Sequence, residues 1–467
     1  MTEQTVRGML SLDELQQKIE NGEIETVVTA FPDAYGRLMG KRITGEFFLE
    51  SAAEHGMHAC DYLYTVDMEM EPIPGYKYAS WELGYGDFHA VPDLATLRQA
   101  TWLDKSALVL CDSFDEKTGN LVDVAPRSVL KRQVGVAAEM GYAAVGASEL
   151  EYYIFEDNYR SSHEKNYTNL RRFGHYIEDY HILQGTREEP LNAAARKHLS
   201  ASGVPVEFSK GEWGPGQHEL NIRYAPVLEM ADRHTIYKQC MKDLADQLDL
   251  SVTFMAKVDE QLAGSSCHIH ISLWDEAQER NIFDGDMPLA EDAHLPTVSQ
   301  EFLWFLGGWL RYVPELMPFF APTVNSYKRY QPGTFAPTGI AWSYDNRTAG
   351  FRVVGHGKSL RIETRIPGAD VNPYLAYAAL LAAGLAGIRE QIEPSPIFKG
   401  DVYAAEGLPQ IPVTLPQSIA ALVSSSIAVD AFGQDVVAHY LHFFNTEQAL
   451  YNRAVTDWER RRYFEQI

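Results

Sequence analysis

Carboxylates and histidines at strand spacing are the chemically suggestive residues of this chain. Ser148-Glu149-Leu150-Glu151-Tyr152-Tyr153 reads as a β-run, and in a strand residues i and i+2 share a face. Glu149 and Glu151 therefore project side by side, and like charges that close raise a pKa unless a cation lies between them. Glu212 and Glu219 flank Gly214-Pro215-Gly216, a turn that can fold both carboxylates onto one spot. In Cys267-His268-Ile269-His270-Ile271-Ser272 the two histidines and the serine share one face and the isoleucines the other; imidazole is a common metal and phosphate partner. Arg347, Arg352, Lys358, Arg361 and Arg365 then crowd around a single acid, Glu363, and arginine forks match phosphate and carboxylate geometry. Each stretch has a bland alternative: a solvated strand face, a polar hairpin, structural histidines, a surface ion-pair patch. Together they describe a site for hard divalent cations and a polyphosphate. Mg²⁺ prefers oxygen ligands, and Mn²⁺ also accepts an imidazole. A P-loop is excluded, because Gly357-Lys358-Ser359 would need its first glycine where Arg352 stands.

The elements that must position these residues follow from periodicity and punctuation. A short helix is expected over 12–20, a strand from Ile24 to Phe31, a turn at Asp33–Gly36 and a second strand through Arg42. Residues 60–120 read as a small β-rich unit with long loops. An amphipathic helix over Ser128–Met140 leads into a strand over Tyr142–Phe155, after which helix and strand patterns alternate. Long helices are expected at 225–249, 297–317 and 373–391. This divides the chain into a small N-terminal β unit, residues 1–122, and a large α/β or α+β unit, residues 123–467. Among 467 residues, 40 Lys+Arg against 64 Asp+Glu leave a net charge of −24. That balance argues against nucleic acid and anionic membranes, both of which need positive surface. Acidity on this scale means solubility, halotolerance or a carboxylate cluster for cations. Cys60, Cys111, Cys240 and Cys267 lack Cys-x-x-Cys spacing and read as reduced thiols. The first seven residues lack the apolar core of a signal peptide, and the uncharged run Val371 to Ile388 reads as a buried helix rather than a membrane span. A soluble, cytoplasmic protein is expected.

These segments, in this order, resemble the class I glutamine synthetase superfamily. The resemblance rests on Asp33–Arg42, Pro126-Arg127-Ser128, Glu149-Leu150-Glu151, Gly214 to Glu219, Cys267 to His270, Asn325-Ser326-Tyr327-Lys328-Arg329, Asp345-Asn346-Arg347, Arg361 to Arg365 and Asn372 to Ala376. It implies an α+β protein with a β-grasp-like N-terminal domain and a catalytic α/β domain built around an antiparallel sheet funnel. It also implies a homo-oligomer of two stacked hexameric rings, with sites between neighbouring subunits. Carried over by position, one Mg²⁺ or Mn²⁺ falls to Glu151, Glu212 and Glu219, the other to Glu149, His268 and Glu363. ATP falls to Glu207, Asn221, Tyr224, His270, Ser272, Arg352 and Lys358. Glutamate falls to Gly264, Arg329 and Arg365, with Arg347 at the transferring phosphoryl group. ATP would phosphorylate the glutamate γ-carboxylate, and an amine would then displace phosphate.

The departures from the resemblance concern the nitrogen donor. Ammonia-using members carry a glutamate on the loop after Arg329; here that position is Phe335, in Arg329-Tyr330-Gln331-Pro332-Gly333-Thr334-Phe335-Ala336-Pro337. A phenyl ring accepts no proton, but it packs on alkyl chains and attracts an organic ammonium by roughly 0.5–2 kcal/mol. An ammonium-binding aspartate is matched only by Asp61, among bulky neighbours, and the asparagine that usually precedes Gly264 is Ala263. The resemblance therefore points to a glutamate–amine ligase whose substrate is glutamate plus ethanolamine, a polyamine or an alkylamine. An ammonia-using glutamine synthetase, a non-catalytic ring protein and an acid acceptor other than glutamate stay open as alternatives. Tyr403 lies near where some relatives are adenylylated and reads as an exposed loop tyrosine.

Overall fold

The computed structural model describes residues 6–290, 294–331 and 333–467. The readings made on residues 1–5 and on Pro332 of the Phe335 loop lie outside the described residues.

Ser11 caps the first helix, Leu12–Glu20, through a reciprocal bond pair with Glu14. Strands β1 (Thr26–Pro32), β2 (Leu38–Thr44), β3 (Met57–Cys60), β4 (Asp87–Pro92), β5 (Arg98–Gln99) and β6 (Ser106–Asp115) form one sheet. Its order is β2-β1-β6-β4-β3, with β5 on β6 and a parallel pairing only between β1 and β6.

The second sheet is organised on β7 (Ala143–Phe155), a strand of 13 residues. It pairs antiparallel with β9 (Gln217–Ile222), β10 (Ala225–Pro226), β11 (Ser251–Thr253) and β12 (Cys267–Trp274). β8 (Val206–Gly211) lies outside β9. A small hairpin, β13 (Met287–Pro288) and β14 (Thr297–Val298), stands apart. On the far side of β12 come β17 (Arg361–Thr364), β16 (Phe351–Val354) and β15 (Trp342–Tyr344), so the order is β15-β16-β17-β12-β7-β9-β8. The alternation of helix and strand patterns thus yields mainly antiparallel neighbours, and the fold is α+β.

Behind this sheet, helix Pro373–Glu390 is buried along almost its whole length. It packs against helix Gln300–Tyr312 where both have shed side chains. A β-carbon on Gly308 would lie 2.2 Å from the Ala383 carbonyl oxygen, and one on Gly387 2.2 Å from that of Trp304. The uncharged run is therefore an interior helix. Among the described residues no single helix is long and apolar enough to cross a membrane.

The long helix expected at 297–317 is two elements, because Pro314 and Pro318 remove helical donors. After Tyr312 the chain tightens into a 3₁₀ turn over Val313–Phe319. A helix at Ile182–Ser200 and a C-terminal set, Leu415–Val423, Ser426–Phe432, Gln434–Arg453 and Asp457–Tyr463, add to the expected elements. One hydrophobic cluster joins residues of both sheets to these helices, from Ala30 and Phe31 to Tyr440 and Phe444. Arg127, in the first turn of helix Pro126–Glu139, pins the same junction. Its guanidinium reaches Asp232 at 3.1 and 3.0 Å and Asp93 at 2.8 Å, and also bonds Asp112.

Candidate active site

Strand register brings the chemistry to one face of the second sheet. In an antiparallel pair, residues directly opposite each other share a face. Glu151 stands opposite Glu219, and Glu219 opposite Lys210. One step along, Glu149 lies between His268 on β12 and Asn221 on β9. Beyond them His270 faces Glu363, and Glu363 faces Arg352.

The face divides into two clusters of opposite electrostatic character. In the first, donor oxygens of Glu151, Glu212 and Glu219 lie within 4.8 Å of one another. Glu151 accepts from the Ser266 amide at 2.9 Å, the Ser266 hydroxyl at 2.5 Å and the Gln217 amide at 3.1 Å. Asn221 donates to Glu219 at 2.5 Å, and Lys210 pairs with Glu212. Burial and then the Glu212 charge push the Glu151 carboxyl up to about 7. Burial, then Glu149 and Glu212, push Glu219 well above the carboxylate range. Three crowded, oriented carboxylates fit a hard divalent cation, which would reverse both shifts.

The second cluster is Glu149, Glu363, His268 and His270. His268 directs Nδ1 between the two carboxylates, 3.2 Å from Glu149 and 3.5 Å from Glu363. His270 Nε2 lies 2.7 Å from Glu149, while its Nδ1 accepts from Arg361 Nε at 3.2 Å; Nε2 therefore carries the proton and donates it. Glu363 accepts from Arg352 at 2.8 Å and Arg365 at 2.6 Å. Burial alone would raise the Glu363 carboxyl, but the Arg365 guanidinium outweighs it and holds it at about 2. Burial, reinforced by Arg365, lowers the His268 pKa and keeps the ring neutral, as a metal ligand must be.

The six expected metal residues lie on this face, but the donor atoms that converge within 4.8 Å in the second cluster are those of Glu149, Glu363 and His270, with the expected His268 beside them. Asn221, Ser272 and Arg352 share this face. Ser272 accepts from the Trp274 indole at 2.9 Å, and Arg352 also pairs with Asp345. Arg329 donates to the carbonyls of Ile366 and Pro367 and packs its aliphatic stem on Gly264. The Nε atoms of Arg329, Arg352 and Arg365 are buried without a hydrogen-bond partner, so each guanidinium keeps a free donor in the site. Glu207, at the bulge in β8, and Tyr224 beside Arg223 are exposed at the sheet's edge, as are Arg347 and Lys358 on short loops. Phe335 is half-exposed, with a left-handed backbone (φ 55°) and its neighbour Thr334 tied to the Arg329 carbonyl at 3.2 Å.

Two residues differ from expectation or stand apart. Tyr403 is half-buried with its hydroxyl enclosed, not an exposed loop tyrosine; burial pushes it up to about 12 against the pull of Arg365 and Arg329. Asp61 belongs to the first sheet's end, where Oδ2 accepts from the Gly86 amide at 3.0 Å. Among the described residues no hydrogen bond or ion pair joins it to the carboxylate face. Lys210, Gln217 and Ser266, to which the sequence assigned no role, hold the ligands together with Arg361 of the basic cluster. Gln217 lies within the Gly214 to Glu219 motif and Ser266 directly before Cys267, but nothing in their spacing announces a contact with Glu151.

The fold and this face define a carbon–nitrogen ligase of the glutamine synthetase type, and the chain belongs to that family: residues 123–463 match the glutamine synthetase catalytic domain. Among its relatives, a γ-glutamylethanolamide synthetase of Streptomyces coelicolor is 44% identical, over 98% of this chain and 96% of its own. A glutamate–isopropylamine ligase of a Pseudomonas species is 30% identical over 100% of both. The solved structure of GmaS without ligand superposes with a TM-score of 0.82 at 28% identity, covering 97% of this chain and 99% of the other.

Proposed function

We propose that this protein joins the γ-carboxylate of glutamate to a short organic amine, ethanolamine or a small alkylamine, at the expense of ATP. The observation that carries the choice of amine is Phe335, apolar and half-exposed on the loop that follows Arg329, where the ammonia-using proteins it resembles carry a glutamate. The 44% identity to an ethanolamide synthetase and the 30% identity to an isopropylamine ligase support the same reading.

In this reading Arg329 and Arg365 grip the carboxylates of glutamate with their free guanidinium donors, and Gly264 leaves room for the acid beside Arg329. Mg²⁺ or Mn²⁺ held by Glu151, Glu212 and Glu219 and by Glu149, His268 and Glu363 supplies charge neutralisation for the phosphates. Asn221, Ser272, Arg352 and Lys358, with Glu207, Tyr224 and His270, line the nucleotide side, and Arg347 swings in to the transferring phosphoryl group. The γ-carboxylate oxygen takes the phosphoryl group, ADP leaves, and the amine nitrogen then attacks the acyl carbon and expels phosphate. Phe335 shields that step from water and packs on the amine's alkyl part. The reading also takes the chain as a cytoplasmic ring of two hexamers, divided at 122/123, with Asp61 serving the neighbouring subunit's site.

The test is phosphate release with glutamate, ATP and Mg²⁺ across ammonia, methylamine, isopropylamine, ethanolamine and putrescine. Ethanolamine or an alkylamine should lead by kcat/KM. Ammonia as the best acceptor would sink the proposal.

A further inference from the structure

On the reverse face of the same sheet lies a second set of ligand-type side chains that the reaction does not use. His218 sits between Gln217 and Glu219 on β9 and therefore points away from the carboxylate face. Its Nε2 lies 2.8 Å from Oε2 of Glu178, in the segment leading to helix Ile182–Ser200, and meets Oε2 of Glu188, in the second turn of that helix. The three donor atoms lie within 4.8 Å of one another. His218, Glu178 and Glu188 are 2%, 1% and 2% exposed, so water does not solvate them.

We propose that Glu178, Glu188 and His218 bind a third divalent cation, of the zinc class, distinct from those of the carboxylate face. The first argument is unmet bonding. Oε1 of Glu188 is buried without a hydrogen-bond partner, and among the described residues Nε2 of His218 and Oε2 of Glu178 and of Glu188 have only one another as ion-pair partners. Such atoms are rarely left so in a folded interior. The second is charge. Among the described residues no lysine or arginine forms an ion pair with Glu178 or Glu188. The imidazole of His218 is the one basic partner of two buried carboxylates, so with all three ionised one negative charge is left uncompensated, which a bound cation would offset. The third is ligand type: two carboxylates and an imidazole suit Zn²⁺ or Mn²⁺ better than Mg²⁺.

The surroundings already hold the ligands in place. Glu178 is fixed through Oε1, which accepts from the Gly216 amide at 2.9 Å. His218 Nδ1 lies 3.1 Å from the Asn192 amide, which also meets the Tyr152 hydroxyl at 2.6 Å. A half-turn of that amide offers its oxygen to Nδ1–H, the arrangement that leaves Nε2 free for a metal. A cation here clamps the β9 end of the hairpin that carries Glu212 and Glu219 to helix Ile182–Ser200, and so positions the neighbouring Glu219.

The experiment is a zinc count. Chelator-stripped protein is equilibrated with Zn²⁺, freed of unbound ion, and its metal measured by mass spectrometry for the wild type, Glu188→Gln and Glu151→Gln. Glu188→Gln should lose one equivalent, together with part of the zinc-induced rise in melting temperature, while Glu151→Gln keeps that equivalent. An unchanged zinc count in Glu188→Gln overturns the proposal and leaves a shared proton as the link between the two carboxylates. Should Glu188→Gln fail to fold, zinc-edge anomalous scattering from wild-type crystals decides: a peak between the three side chains supports the site, and its absence refutes it.

Discussion

Phe335 concentrates the question of specificity into one side chain. A glutamate there would attract an ammonium with a full charge and accept its proton, whereas a phenyl ring offers a quadrupole and an apolar surface. Phe335→Glu should therefore raise kcat/KM for ammonia relative to the preferred organic amine by about 10-fold or more, since each 1.4 kcal/mol of differential binding is tenfold. A ratio unchanged within twofold would remove the loop from the specificity account. Residue-level legibility follows the rigidity of the local geometry. Glu149 with Glu151, and His268 with His270, were readable as pairs because side chains alternate along an unbulged strand. The contact of His270 with Glu149 was not, because it depends on the β7–β12 register that sets His268 opposite Glu149. Lys210 escaped for a related reason. The bulge between Val206 and Phe208 resets the parity of β8 and delivers Lys210 opposite Glu219.

At the scale of elements, close approaches do the positioning. A β-carbon on Gly264 would lie 2.4 Å from Arg329 Cγ and 2.8 Å from the Ala256 carbonyl oxygen. Gly264→Ala must push the Arg329 stem aside and loosen its bonds to the 366–367 carbonyls. The expected result is a rise in KM for glutamate of about 10-fold with KM for ATP little changed; equal changes in both would contradict it. Arg127 gives a stability prediction of the same kind. Arg127→Leu strands Asp93, Asp112 and Asp232 around an apolar side chain, with Lys131 as a partial substitute for the first two. Removing one partner of a buried charge network costs about 3–5 kcal/mol, to be read from urea unfolding. A loss below about 1 kcal/mol would mean the aspartates find other partners. Elements with a strong period or clear punctuation, such as Leu12–Glu20 and Pro126–Glu139, were visible in the sequence. Helix Ile182–Ser200 was not, since Gly185 and Pro190 interrupt it and its polar residues fall on every side, several of them buried.

The molecule as a whole carries −24; five carboxylates line the two clusters of the active-site face, and the remainder is chiefly the solvated surface of an acidic protein. The sequence can state that sum but not where charge is forbidden, and this governs acid stability. His439, on helix Gln434–Arg453, is fully buried against Tyr76, ring centroids 4.6 Å apart, where the C-terminal helices meet the N-terminal sheet's loops. Burial, reinforced by His442, holds its pKa at about 3, against about 6.5 in an unfolded chain. Between those values the unfolded chain binds a proton that the folded one refuses, so stability is lost as pH falls through 6.5. Linkage puts the loss from this one group at about 2 kcal/mol by pH 5. His439→Phe keeps a ring against Tyr76 and removes the titration. Whatever the substitution does at pH 7, its unfolding free energy should fall less between pH 7 and pH 5 than the wild type's, by about that amount. Parallel declines in the two proteins would show that His439 takes up a proton within the folded state, and that the contact between the two parts of the chain is looser than its burial indicates.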